Sequence, residues 1–150
     1  MSGAAGLRRL LAPLVFPPRR LRLLALLLSV SLVFALFYLG SRPISTGLFS
    51  APWDKLVHYL FFGGLCGIFW VLCGGGRPHA DWGAVVLTAA VGIADEWTQA
   101  YNPGRYSSAA DFAADLLGAL TAVLVLAWLR RRLRADATPP LNAAPRPQTS

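Results

Sequence analysis

Long apolar runs separated by short polar stretches divide the chain into four blocks. "LRLLALLLSVSLVFALFYLG" occupies residues 21–40, "LVHYLFFGGLCGIFWVLC" 56–73, "WGAVVLTAAVGIADEWTQAY" 82–101 and "FAADLLGALTAVLVLAWL" 112–129. Each is close to about 20 residues, the length at which a helix crosses the hydrocarbon core of a bilayer. Helices with almost no polar face suit lipid better than water. The pattern therefore predicts an all-α fold, a four-helix transmembrane bundle spanning residues 21–134. The second and third blocks contain His58, Asp95, Glu96 and Gln99, so they need a reason to insert.

The breaks between blocks have their own chemistry. "GGGRPHAD" (74–81) is a turn of helix-breaking residues, and "NPGRYSS" (102–108) is a tighter one. Ser108 with Asp111 forms an S-x-x-D capping box for the last helix. In the loop 41–55, Trp53 is placed as an interfacial anchor. Residues 1–20 hold Leu7, Leu10, Leu11, Leu14 and Val15 at helical spacing, kept short by Pro13, Pro17 and Pro18. This segment reads as a cytoplasmic, interfacial helix. Residues 135–150 are rich in Pro and Ala without periodicity, which predicts a disordered cytoplasmic tail.

Composition sharpens the membrane reading. The chain is 55% hydrophobic and only 14% charged, where soluble domains carry about 25%. Its net charge of +7 is placed rather than spread. Arg8, Arg9, Arg19, Arg20 and Arg22 precede the first block, Arg77 lies between the second and third, and Arg130, Arg131, Arg132 and Arg134 follow the last. By the positive-inside rule these mark the cytoplasm, leaving Arg42, Lys55 and Arg105 on the opposite side. Both termini are then cytoplasmic, the protein is multi-pass, and the basic excess sets orientation instead of binding nucleic acid. Cys66 and Cys73, seven residues apart, lie too far apart to bridge within one helix and lack a metal-site spacing. They read as small core residues, with no metal and no cofactor implied.

Four of the seven acidic residues fall between positions 92 and 120. With the orientation above, Asp54 opens the second helix at the outer surface and His58 sits one turn deeper. Asp95 and Glu96 lie one to two turns below the outer end of the third helix, and Gln99 shares their face. Asp111 opens the fourth helix, with Asp115 a turn below. At 1.5 Å per residue, His58, Asp95, Glu96 and Asp115 converge about 5–10 Å beneath the outer boundary. An Asp at a helix centre costs about 2.5–3.5 kcal/mol on insertion scales, tolerated when such groups face the bundle interior or one another. Lys55, His58, Arg42 and Arg105 are available partners, and Gly92 and Gly118, one turn deeper, permit close helix approach.

At these residues the chain resembles the VanZ-like family, small bacterial membrane proteins named after an accessory factor in glycopeptide (teicoplanin) resistance. The resemblance runs through "DKLVHYLFFGGL" (54–65) and "ADEWTQAYNPGRYSSAADFAADLLGAL" (94–120), covering about residues 43–129. Its D-K-x-x-H, D-E-x-x-Q and G-R elements, the last followed by D-x-x-x-[N] before a glycine, fall here on Asp54, Lys55, His58, Asp95, Glu96, Gln99, Gly104, Arg105 and Asp111. Asp115 departs, standing where the family commonly has Asn. The resemblance implies a helical bundle in the bacterial cytoplasmic (inner) membrane and an association with the cell envelope.

Four readings fit the cluster. An outward-facing polar pocket would engage a lipid or lipid-linked envelope component, or an envelope-active amphiphile, with Lys55 and Arg105 holding its anionic groups. Alternatively, Glu96 or Asp95 would serve as general acid or base, with His58 as partner oriented by Asp54, in an enzyme acting on lipid headgroups. A structural polar staple, or a small ion or proton transporter, completes the set. For transport, Thr88 and Thr121 are almost the only polar groups further down the bundle.

Overall fold

The computed structural model describes residues 6, 11–13, 15–42, 52–102 and 107–135. They form four long helices and, among the described residues, no strand: α1 (Arg19–Gly40), α2 (Trp53–Leu72), α3 (Pro78–Gln99) and α4 (Ala109–Ala135). Pro17 and Pro18 stop any helix from running into α1, because Pro18 is extended (ψ 160°). Pro78 opens α3 at its first position, where its missing N–H costs nothing. Between α2 and α3 the chain turns through Gly74 (φ 103°) and Gly75 (φ 61°), conformations that favour glycine. Gly75 N–H donates to Trp70 O (2.9 Å) and Gly74 N–H to Val71 O (3.1 Å), the Schellman pattern that closes a helix.

Three of these helices, α1, α2 and α4 as far as Arg134, are long and apolar enough to cross a membrane. The fourth, α3, has 22 residues but falls outside that group. His79, Asp81, Asp95, Glu96 and Gln99 load both of its ends with polar groups, while residues 82–94 between them carry no charge. One stripe of α3 is small and polar and faces the bundle: Ala80, Ala84, Thr88, Gly92, Asp95 and Gln99 are buried. Large apolar side chains, Trp82, Val86, Ile93 and Trp97, are exposed on another stripe. The same inversion runs along α1, where Ala25 and Ser29 are buried while Leu23, Leu27, Val30 and Phe34 are exposed.

The core lies mainly on α2, through Phe62, Leu65, Cys66, Phe69 and Trp70, packed against Ala80 and Ala84 of α3 and Ala119 of α4. Cys66 and Cys73 are free thiols. Helices α2 and α4 make the most extensive contact, and glycines make it possible. A Cβ on Gly63 would lie 3.2 Å from Gly118 O. One on Gly118 would lie 3.0 Å from the Tyr59 carbonyl carbon and 3.1 Å from Gly63 N, overlapping backbone that has nowhere to move.

At the end of the bundle holding the α2–α3 turn, arginines do more than mark a side. Arg130 clasps Asp81 through both terminal nitrogens (3.0 and 2.8 Å), and Trp70 Nε1 donates to the same carboxylate (2.7 Å). This group joins α2, α3 and α4. Arg22 Nε donates to Leu72 O (3.1 Å) and Arg134 to Gly76 O (2.8 Å), satisfying carbonyls around the turn. Gly76 N–H donates to Val15 O (2.5 Å), and Val15 is buried in the core. The spacing of the N-terminal leucines places Val15 on an interfacial face. In the structure Val15 packs against the glycine turn, while Leu7, Leu10 and Leu14 lie outside the described residues. The predicted tail beyond 135 also lies outside them.

Gly118→Ala is expected to lower stability by about 1–3 kcal/mol, because the added methyl meets backbone across the α2–α4 contact. Gly64→Ala, with open space around it, is expected to be neutral or to stabilise by up to about 1 kcal/mol. Unfolding of the purified protein in a denaturing-detergent titration measures both.

Candidate functional site

The polar residues singled out in the sequence gather at the opposite end of the bundle from Asp81 and Arg130, built from the start of α2, the end of α3 and the start of α4. Gly118 sets the geometry. Its contact with Tyr59 brings α4 against α2 so that Asp115, one turn earlier on α4, meets His58, and Asp111, a further turn back, meets Lys55.

His58 Nδ1 lies 2.9 Å from Asp115 Oδ1, and the imidazole stacks on Phe62 (centroids 6.0 Å apart, planes within 5°). Asp115 is almost wholly buried, its other oxygen has no partner among the described residues, and that oxygen would lie 3.1 Å from a Cβ on Gly92. The glycine thus leaves room for a carboxylate between α3 and α4. Lys55 Nζ is held by two acids, Asp54 (2.8 Å) and Asp111. Gln99 Nε2 donates to Asp95 Oδ2 (2.8 Å) along one face of α3. Glu96 Oε2 accepts from Ser107 Oγ (2.9 Å) and Ser108 N–H (2.6 Å), while its Oε1 is buried with no partner among the described residues. The groups also act on one another at longer range: Asp95 and Asp111 attract a charged His58, while Glu96 repels a charged Asp115.

The convergence read from the sequence is therefore present for Asp54, Lys55, His58, Asp95, Glu96, Gln99, Asp111 and Asp115, whereas Gly104 and Arg105 lie outside the described residues. The pairings differ from those expected. His58 pairs with Asp115 on another helix, not with Asp54 four residues before it, because Asp54 turns back to Lys55. The capping box is also rearranged. Ser108 Oγ makes only a long contact with Asp111 N–H (3.4 Å), and the carboxylate that accepts from Ser108 N–H is Glu96, on α3. That substitution frees Asp111 to bind Lys55. Lys55, expected to hold an anionic ligand, is instead clamped by two carboxylates of its own chain.

As a partner of Glu96, Ser107 had no signal in the sequence, because the contact joins residues that do not share a helix. Beside this contact an open groove of about 450 Å³ separates the end of α3 from the start of α4. Its walls are mostly apolar (Ile93, Trp97, Ala100, Tyr101 and Phe112), and Glu96, Ser107 and Ser108 supply its polar end.

Between the two ends the bundle is dry. The buried hydroxyls of Thr88 and Ser29 bond to carbonyls of their own helices, at Ala84 and Leu26, and Thr121 is exposed. Among the described residues no group of three His, Cys, Asp or Glu side chains is arranged to hold a metal ion.

Comparison with known proteins adds one finding. No curated protein and no solved structure matches the chain. A profile of the family described as VanZ/LLP1 matches residues 24–130, from the first helix through the last and including every residue of the polar cluster. That span is well over half of the sequence, and three of its helices are apolar enough to cross a bilayer: the chain is a membrane protein belonging to the VanZ-like family.

Proposed function

We propose that this protein is a four-span protein of the bacterial cytoplasmic membrane, with both termini in the cytoplasm, whose polar cluster faces the outer leaflet and engages the headgroup of a lipid-linked envelope component or an envelope-active amphiphile. The inverted pattern of α3 supports a fourth span. Its exposed stripe is apolar and its small and polar residues point inward, so lipid can surround it while the acids stay within protein. The basic residues at the Asp81–Arg130 end support the orientation.

The observation that carries the binding reading is the pair of buried carboxylate oxygens, Glu96 Oε1 and Asp115 Oδ2, left without donors. A staple joining helices needs only the pairs already made, Lys55–Asp111 and His58–Asp115 between α2 and α4 and Glu96–Ser108 between α3 and α4. Unsatisfied buried carboxylate oxygens are costly. Glu96 lines an open groove, which favours a site that takes a donor from outside the chain.

A second reading, acid–base catalysis at a lipid headgroup, is favoured by the His58–Asp115 contact. A carboxylate on Nδ1 fixes the ring and its tautomer and leaves Nε2 for proton transfer. Asp115, where the family commonly has Asn, strengthens that role, since a charged acceptor stabilises a protonated imidazole better than an amide does. Transport has less support, because the dry middle of the bundle offers no polar path.

Orientation is checked by labelling. With Cys66 and Cys73 replaced by Ala, a cysteine at Ser108 is expected to react with an impermeant maleimide in intact cells, and one at Arg77 only after lysis. The reverse result would invert the topology. In a strain dependent on this protein, His58→Ala and Glu96→Gln are expected to lower tolerance to envelope-active amphiphiles severalfold at unchanged membrane abundance. Unaltered tolerance in both would remove the binding reading. For catalysis, lipid extracts of a deletion strain and a His58→Gln strain are expected to share the same accumulating species, and unchanged extracts in both would end that reading.

A further inference from the structure

Of the two unpartnered carboxylate oxygens, that of Glu96 belongs to a residue lining the groove between α3 and α4, whereas Asp115 lies outside the lining. Lys55 answers Asp54 and Asp111, His58 answers Asp115, and Gln99 answers Asp95. At Glu96, both donors, Ser107 Oγ and Ser108 N–H, reach the same oxygen. The residue is only 8% exposed, yet Oε1 has nothing to accept from. A buried acceptor of this kind calls for a donor, and a carboxylate calls most strongly for a cationic one. The only described lysine at this end is already held by two acids.

The walls specify the rest of the ligand. Leading away from Glu96, the groove runs past Ile93 and Trp97, whose side chains are 57% and 67% exposed. Trp97 and Tyr101 meet at its margin with their rings tilted (centroids 5.9 Å apart, planes at 43°). An exposed apolar wall on a membrane helix faces acyl chains, so a chain lying there enters sideways from the bilayer. The polar end of the groove is within reach of such a chain's headgroup, because Glu96 sits about one turn from the end of α3.

Resting on the binding reading above, we infer that this groove holds a membrane amphiphile with a primary ammonium headgroup, its nitrogen donating to Glu96 Oε1 and its chain lying against Ile93, Trp97 and Phe112. Selection is by charge sign. A phosphate or carboxylate headgroup would bring a second anion against Glu96, with Asp115 close behind it. The anionic-ligand expectation attached to Lys55 is thereby replaced at this position by its opposite.

The test uses the full-length protein purified in a neutral detergent, with native mass spectrometry reading the bound fraction of three probes: hexadecylamine, hexadecyl phosphate of equal chain length, and ethylamine, which carries the charge without the chain. The amine is expected to bind about tenfold or more tightly than the phosphate, the scale of one charge-assisted hydrogen bond. Glu96→Gln is expected to remove most of that preference while keeping an acceptor for Ser107 and Ser108. Ala100→Phe, at an exposed position lining the groove, is expected to weaken both long-chain probes and serves as an independent variant should Glu96→Gln fold poorly. Ethylamine is expected to compete weakly. Equal or tighter phosphate binding, an amine preference that survives Glu96→Gln, or retention of both long-chain probes in Ala100→Phe overturns the inference while leaving amphiphile binding in place. Binding of neither long-chain probe by the unaltered protein overturns both.

Discussion

The backbone contact between α2 and α4 governs the rest of this molecule. Gly118 lies against the Tyr59 carbonyl and Gly63, with no space for even one methyl group. In lipid there is no hydrophobic drive to bring two apolar helices together, so close approach through small residues and the hydrogen bonds it permits must do the work. Here the approach aligns the first two turns of α4 with those of α2. Two pairs then form in succession, Lys55 with Asp111 and His58 with Asp115.

The two ends of the bundle show contrasting ways of burying charge. Around Asp81, two terminal nitrogens of Arg130 and the indole of Trp70 all converge on the carboxylate. The Arg22 and Arg134 side chains meanwhile cover carbonyls of the neighbouring turn. That end is a closed joint. The other end concentrates five acids around one described lysine and one histidine, and among the described residues it leaves two carboxylate oxygens unanswered. The difference in satisfaction, more than in charge, separates a structural cluster from a candidate binding site.

Packing follows the same solvent logic. Alanine, glycine, serine and threonine occupy inward positions on α1 and α3, whereas leucine, valine, phenylalanine and tryptophan turn outward. In water such an arrangement would expose a large apolar patch; in a bilayer it places apolar area against acyl chains. The polar ends of α3 place it below the apolar threshold met by α1, α2 and α4, yet its stripe pattern is theirs. Its acids are accommodated because they point toward α4 and the α3–α4 turn, where Ser107 and Ser108 donate.

The four helices were legible in the sequence to within a few residues at most ends, as were the glycine turn at 74–76 and the gathering of His58, Asp95, Glu96 and Asp115 toward one end of the bundle. Length, apolar runs and the 1.5 Å rise are properties of a single helix and can be read one helix at a time. The family, too, was legible in the spacing of D-K-x-x-H and D-E-x-x-Q. Partner choice was not. Within a helix, Asp54 and His58 or Ser108 and Asp111 are the nearest pairs by spacing, and the structure gives all four other principal partners. Only tertiary structure sets how far each helix is rotated and how closely it approaches its neighbour, and a hydrogen bond is lost over an ångström. Burial of Val15, the Asp81–Arg130–Trp70 joint and the unpartnered Oε1 of Glu96 arise the same way, from distances between helices that no periodicity along one chain records.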